Sequence, residues 1–296
     1  MMDYQLLERV SKKSLLGIRF WDPAMDSQIY SGLKVALYPV DNYRKKVYAT
    51  CTRSGNYAFN DIPGMIDLET TPFDEQDQLA SPTPTKQFVI EVQDLRKRFV
   101  SAALLLELPL PYDGLFLVDD ETGSPNNPPR GFNLYSSIYR QAAAQFTFVR
   151  GDLINRVTGQ PAANALVRVQ TEDNFSWYGI SDENGKFAVM MPYPLLNISF
   201  GSSPPSSDGI RLFQRSWVVS ITVLFDPQGQ MSLLESELPD YSSILNQDQA
   251  FIYTETPEND LGEVMEMQVD LVYGRDLIIK TAGFSELYIS PTGSPA

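Results

Sequence analysis

The sequence predicts an all-β protein made of two tandem antiparallel β-sandwich domains. Three observations carry that expectation. A pattern beginning at Gly17 recurs from Phe148 at a constant offset, as a duplicated unit would. Apolar residues alternate with polar ones at period two, which puts one face of each strand inward. The 18 glycines and 21 prolines lie scattered between short apolar runs, as turns between many short strands require.

The first copy reads GIRFWDPAMDSQIYSGLKVALYPVDNYRKKVYATCTRSGNYAFNDIPG and the second FVRGDLINRVTGQPAANALVRVQTEDNFSWYGISDENGKFAVMMPYP. A shift of 130 positions lays Asp22 on Asp152, Val35 on Ala165, Leu37 on Val167, Gly55 on Gly185, Tyr57 on Phe187 and Phe59 on Val189. Leu33, Val35 and Leu37 form the inward face of one strand, and Leu166 with its neighbours forms the matching face in the second copy. Ser54-Gly55 and Asn184-Gly185 are hairpin signals, because a tight turn needs residues that tolerate positive φ. Pro63 and Pro192 close the strands that follow, since proline donates nothing to a ladder.

The remaining strands follow in order. Residues 88–93 and 99–109 continue the first unit. Residues 118–131, VDDETGSPNNPPRG, are rich in turn formers and read as a linker with little regular structure. Residues 217–225, WVVSITVLF, are apolar enough for a strand buried on both faces. Met265, Met267, Val269, Leu271 and Tyr273 alternate with Glu266, Gln268 and Asp270 as a half-exposed strand, and residues 277–281 and 287–290 follow. Residues 228–249 break the pattern and read as a helix or two short turns interrupted at Pro239. The expected organisation is an N-terminal arm over 1–16, a first sandwich over 17–117, a linker and connecting segment over 118–145, and a second sandwich over 146–296 that carries the insertion 228–249.

Composition narrows the function. At 296 residues and 43% hydrophobic content the chain can bury two real cores. It contains no histidine and one cysteine, Cys51. Imidazole bases, catalytic triads and thiolate or imidazole zinc sites therefore cannot be assembled from this chain alone. No disulfide framework is available, no apolar leader opens the sequence, and no segment reaches the roughly 18 apolar residues of a membrane helix. Those features point to the cytoplasm. The net charge of −14 disfavours nucleic acid. The two basic clusters, Arg44-Lys45-Lys46 and Arg96-Lys97-Arg98, read as solvated turns.

Other motifs resolve to structural roles. Asp182-Glu183-Asn184-Gly185 lacks the spacing of a calcium loop and reads as a hairpin turn. Asp119-Asp120-Glu121 lies in the Pro-rich stretch, where adjacent carboxylates do not converge on one point. Trp217 reads as core, Trp177 as a partly exposed residue near a hairpin, and Cys51 as a small buried hydrophobe.

Two resemblances add to this reading. GDLINRVTGQPAANA at residues 151–165 and SDENGKF at 181–187 resemble the carboxypeptidase regulatory-like, prealbumin-type domain. That resemblance implies non-catalytic sandwiches of the Ig/prealbumin kind. GIRFWD at 17–22, SGNYAFNDIPG at 54–64, FVIEVQD at 88–94 with Arg98-Phe99, MPYP at 191–194 and YGRDL at 273–277 together resemble an accessory protein of contractile, phage-tail-like injection systems. This second resemblance implies a structural part of a sheathed particle that is assembled in the cytoplasm and later released or anchored. Its partners would be sheath, tube, cap or baseplate subunits, and it brings no catalytic residues, metal or cofactor.

The expected function is thus a non-enzymatic assembly subunit acting through protein–protein contacts. An adhesin-like module binding a glycan or surface is the alternative, and an enzyme using carboxylates a third reading. Leu233, Leu234, Tyr241, Ile244 and Leu245 of the insertion are the candidate contact residues. They are apolar side chains on a surface excursion, which need a cover. That cover is either the second sandwich or a neighbouring subunit.

Overall fold

Short apolar runs punctuated by turn formers cannot satisfy their backbone groups locally, so they pair side by side and bury one face. In the computed structural model, which describes residues 14–70, 84–110, 115–116, 130–194, 215–233, 236–255 and 262–292, this produces five sheets and a nearly all-β chain. The N-terminal half contains β1 (Leu16–Ile18), β2 (Phe20–Asp22), β3 (Ser27–Gln28), β4 (Leu33–Pro39), β5 (Val47–Tyr48), β6 (Thr50–Cys51), β7 (Tyr57–Phe59), the short helix α1 (Ile66–Thr70), β8 (Lys86–Asp94), β9 (Ala102–Leu108), β10 (Leu115–Phe116) and β11 (Phe132–Asn133). The C-terminal half contains β12 (Phe146–Asn155), β13 (Leu166–Thr171), β14 (Ser176–Ile180), β15 (Lys186–Pro192), β16 (Ser216–Leu224), α2 (Tyr241–Leu245), β17 (Ala250–Tyr253), β18 (Glu263–Val264), β19 (Met267–Val272), β20 (Leu277–Ile278) and β21 (Leu287–Pro291).

The two halves repeat one topology. One layer has the order β5-β4-β8-β9 in the first half and β14-β13-β16-β19 in the second. In the facing layer β7 runs antiparallel and β10 parallel to β1. Likewise β15 runs antiparallel, and β20 and β21 parallel, to β12. The turns before β7 and β15 match atom for atom at the offset of 130. Thr52 N donates to Asn56 O at 2.8 Å and Gly55 N to Thr52 O at 3.0 Å; Asp182 N donates to Lys186 O at 2.8 Å and Gly185 N to Asp182 O at 2.9 Å. Gly55 and Gly185 sit at φ 78° and 75°.

The offset changes for the opening strand. Leu16 faces Phe59 while Val149 faces Val189, so the shift there is 133, and the counterpart of Asp22 is Asn155 rather than Asp152. Both side chains do the same work: Asp22 Oδ1 accepts from Ala24 N and Asn155 Oδ1 from Val157 N.

Among the described residues the halves differ in the connection between the last two strands of the first layer. In the first, β8 turns directly into β9. In the second, the chain leaves β16 at Leu224 and returns at Met267, carrying α2, β17 and β18 on the way.

Burial follows the expected alternation in most places. Val35 and Leu37 enter the N-terminal core with Phe20, Phe59, Phe88 and Ile90. Val167 and Val169 enter the C-terminal core with Val219, Ile221, Val223 and Phe187. Leu166 departs from its expected role: it lies on the opposite face of β13 and, with Ile180, joins the N-terminal core. Strand β16 is buried on both faces only toward its end, where Thr222 is buried and Leu224 half-buried on the side opposite Val219, Ile221 and Val223. Its outer side chain Val218 is 36% exposed.

The connecting segment also departs from expectation. Residues 118–129 lie outside the described residues, but Phe132, Leu134 and Tyr135 are buried in the N-terminal core and β11 pairs with β2. Aromatic side chains at this spacing bury more area than a solvated connector could leave exposed without cost.

Candidate functional site

The insertion is held against the N-terminal half of its own chain. Strands β4, β8 and β9 present an apolar outer face, where Tyr38, Val89 and Ala103 form a small cluster that Leu233 completes. Pro239 blocks helix extension, and the helix α2 starts soon after it, with the Asp240 side chain accepting from Ser242 N at its N-cap. The other oxygen of Asp240 accepts from Leu105 N of β9 at 2.7 Å. Tyr241 is 2% exposed. Its ring lies 4.4 Å from that of Phe132 and stacks on Tyr135, and its hydroxyl donates to Asn133 O at 2.8 Å. Ile244 is buried in the same core and Leu245 packs half-buried beside it.

Of the five contact candidates, Leu233, Tyr241, Ile244 and Leu245 are therefore covered within the same chain, by first-half residues in a core to which Leu166 and Ile180 of the second half also contribute. Leu234 lies outside the described residues. The reason is geometric: the outer faces of β4 and β9 are themselves apolar, and Leu166, Ile180 and the half-buried Leu224 of the second half face the same core. Nothing local in the insertion distinguishes which half will cover it.

A second polar cluster adjoins this seam. Lys46 Nζ lies 2.7 Å from Glu91 Oε2 and 3.9 Å from the centre of the Tyr43 ring, and Tyr38 donates to Glu91 Oε1 at 2.8 Å. Burial would raise the Glu91 carboxyl, but hydrogen bonds from Lys46, Tyr38 and Ser236 of the insertion outweigh it and hold it below its ordinary range. Burial likewise opposes the charge on Lys46, and Glu91 outweighs it and raises the ammonium. Tyr38 is raised, first by burial and then by Glu91. Asp94 follows the same rule: burial is overcome by Arg98, whose guanidinium and backbone both donate to it. A third pair, Asp22 with Arg140, is almost fully buried, and Arg140 also donates to Ser136 at 2.9 Å. Buried Glu69 accepts from the backbone of Asp61 and Ile62, both at 2.8 Å.

These are structural pairings. A poised general acid or base carries a pKa pushed toward neutrality in a cleft, whereas Glu91 and Asp94 are pushed the other way by cations bound to them.

One open feature of the surface is a groove of about 620 Å³ in the second half, lined also by residues 140–144. Phe146, Phe148, Tyr193 and Tyr273 contribute apolar surface, Ala142 to Ala144 small side chains, and Arg150 with Asp276 the polar side. Trp217, expected in the core, is half-buried at the end of β16 and forms an aromatic trio with Tyr193 and Tyr273. It shares the inward side of Val219 and Val223 and pairs with the fully buried Leu271, yet is itself only half-buried. Trp177 is half-buried beside the exposed Phe175.

Asp182 forms the expected turn, accepting from Asn184 N and Lys186 N, both at 2.9 Å. Asp119-Asp120-Glu121 falls outside the described residues. Cys51 is exposed, not buried; it sits on the edge strand β6 and its thiol donates to Tyr30 O at 3.1 Å. Among the described residues no group of three or more His, Cys, Asp or Glu side chains is arranged to hold a metal, and no helix is long and apolar enough to cross a membrane.

No family model and no curated protein matches the chain. Solved structures that align with it include the shaft pilin SpaA from Lactobacillus rhamnosus GG and a putative adhesin from Bacteroides ovatus. A point mutant of the pilin is 9% identical, covers 99% of this chain and 95% of its own, and has a TM-score of 0.25. The adhesin is 9% identical, covers 88% and 93%, and has a TM-score of 0.21. The fold assignment stands on the strand pairing itself.

Proposed function

We propose that this chain is a non-enzymatic structural subunit of a contractile, phage-tail-like injection particle, acting through contacts with sheath, tube, cap or baseplate subunits. The observation that carries the reading is the shared core: Leu166, Ile180, Tyr241 and Ile244 of the second half are buried among Phe132, Tyr135 and Leu104 of the first. Two repeats that bury such side chains between them move as one body, which suits a part that transmits or resists load. The segments that resemble injection-system proteins also hold this body together. Asp22 anchors Arg140, Gly55 makes the repeated turn, Asp94 binds Arg98, and Tyr193 meets Tyr273. The pairing of buried carboxylates with cations or backbone donors supports a role without catalysis.

In this reading the chain is assembled with its particle in the cytoplasm and needs no metal or cofactor. The test is to delete the gene in the source organism and to purify particles from cells carrying a tagged copy. The chain should co-sediment with sheath and tube, and the deletion should stop or misdirect assembly. Particles of normal length and contraction, purified without the chain, would refute the role.

A further inference from the structure

We infer that the groove in the second half is a binding site for a neutral carbohydrate, with Tyr273 and Tyr193 as the stacking wall and Asp276 as the acceptor for sugar hydroxyls. The inference is independent of the particle role, since an assembly subunit and a soluble module could both carry such a site.

Four observations lead there. The first is a rigid aromatic wall: the Tyr193 and Tyr273 rings lie 4.6 Å apart, backed by Trp217 at 5.9 and 6.4 Å. Large flat side chains with few torsions offer contact at little entropic cost, and their faces suit the axial C–H groups of a pyranose ring.

The second is charge balance. Arg150 Nε pairs with Asp276 Oδ2 at 3.0 Å, its Nη1 donates to Ile138 O at 2.8 Å, and its guanidinium lies 3.9 Å over the Phe148 ring. Arg140, at the other side, is consumed by the buried Asp22. Both cations are neutralised in place, so the groove selects for neither an anion nor a cation.

The third is the stock of unused polar atoms. Asp276 is 46% exposed and its Oδ1 has no donor among the described residues. Tyr193 accepts from Gly274 N at 2.8 Å, which leaves its hydroxyl proton to be donated outward. An acceptor and a donor lining one groove match the hydroxyl groups of a sugar, which both give and take hydrogen bonds. A proline-rich peptide also favours aromatic grooves. Its prolines carry no N–H for Asp276 to accept, so that ligand would leave a carboxylate oxygen dry and unpaired.

The fourth is access. Gly274 sits at φ 77° with open space where a Cβ would stand, and Ala142 to Ala144 line the groove with small side chains. The volume, about 620 Å³, lies inside the range of small-ligand clefts, roughly 300–1,000 Å³.

The test uses the full chain and three neutral probes, cellotriose, maltotriose and chitotriose, in saturation-transfer NMR at about 5 mM, a level that detects affinities near the millimolar end of the scale. Decaproline serves as the rival probe. At least one trisaccharide should receive saturation. Its binding should weaken at least about fivefold in Tyr273→Ala and in Asp276→Ala, while Phe175→Ala, an exposed aromatic at another hairpin, leaves it unchanged. Asp276 is a surface side chain, so its variant should keep the wild-type circular dichroism spectrum even if Tyr273→Ala loosens the sandwich end. Silence from all three sugars, binding that ignores both groove variants, or saturation of decaproline alone would overturn the inference.

Discussion

Replacing Tyr241 by alanine tests whether the insertion welds the two repeats together. The ring is 2% exposed, packs 4.4 Å from Phe132 and stacks on Tyr135, and its hydroxyl donates to Asn133 O. Truncating a buried aromatic of this size costs about 3–5 kcal/mol, because the surrounding strands collapse only partly into the space. The lost hydroxyl bond is part of that figure: Tyr241→Phe, which leaves the Asn133 carbonyl unpaired, should cost about 1–3 kcal/mol alone. A chain of this length loses about 2–4 °C of melting temperature per kcal/mol, so Tyr241→Ala should melt on the order of 10 °C early. The assay is differential scanning calorimetry with near-ultraviolet circular dichroism. The wild type should unfold in one transition, because the two halves share a core. The alanine variant should unfold early, and if α2 is the principal fastener its endotherm should split as the halves uncouple. A double-mutant cycle with Phe132→Ala should return a coupling energy of about 0.5–3 kcal/mol. A melting temperature within a degree or two of wild type would refute the reasoning, since it would mean that the ring is not buried against the first half.

Charge and backbone geometry lead to three more expected outcomes. Arg140→Met strands the buried Asp22 charge and should cost about 3–5 kcal/mol in urea unfolding, with part of the loss recovered by adding Asp22→Asn, because a neutral amide no longer needs a cation. Glu91 and Asp94 have depressed folded-state pKa values, so their contribution is complete above the ordinary carboxylate range and is lost as pH falls through the folded values; Glu91→Gln together with Asp94→Asn should flatten the acid limb of a stability–pH curve measured from about pH 5 down to 2. Gly185 and Gly283 both have positive φ, but a Cβ on Gly185 would lie 2.3 Å from Leu153 O while one on Gly283 would meet nothing within 4 Å. Gly283→Ala should therefore cost only the left-handed penalty of about 1–2 kcal/mol, and Gly185→Ala distinctly more by chemical denaturation.

Much of the fold is legible in the chain because it is local. The alternation of Val35 and Leu37, the turn glycines Gly55 and Gly185, and the shared pattern of the two copies each depend on residues close in sequence, whose steric and hydrogen-bonding preferences hold wherever the segment lies. The same locality makes the 130-residue offset exact at the turns. It fails on β1, where the register calls for a further shift of three residues, an odd number that exchanges the two faces of a period-two strand and brings buried Leu16 and Phe20 onto buried Val149 and Leu153. Trp217 and Cys51 escape the pattern for a related reason. Both lie on strands, as their neighbours indicate, but one is only half-buried beside Tyr193 and Tyr273 and the other sits on an edge strand, and periodicity does not say how completely a position is covered.

Which surfaces cover one another is a different matter, settled only in three dimensions. Leu233, Tyr241 and Ile244 advertise a need for burial, and their own sequence cannot choose between the second sandwich, the first, or another chain. The choice falls to the outer faces of β4, β8 and β9 and to the outward side of β13 and β14, brought together from residues distant in the chain. Burial is non-directional and takes no account of sequence distance. Short-range sterics and hydrogen bonding thus wrote the strands, their turns and the repeat into the chain itself. The joining of the repeats into one body, and the groove left open in its second half, came from long-range packing that no local pattern encodes.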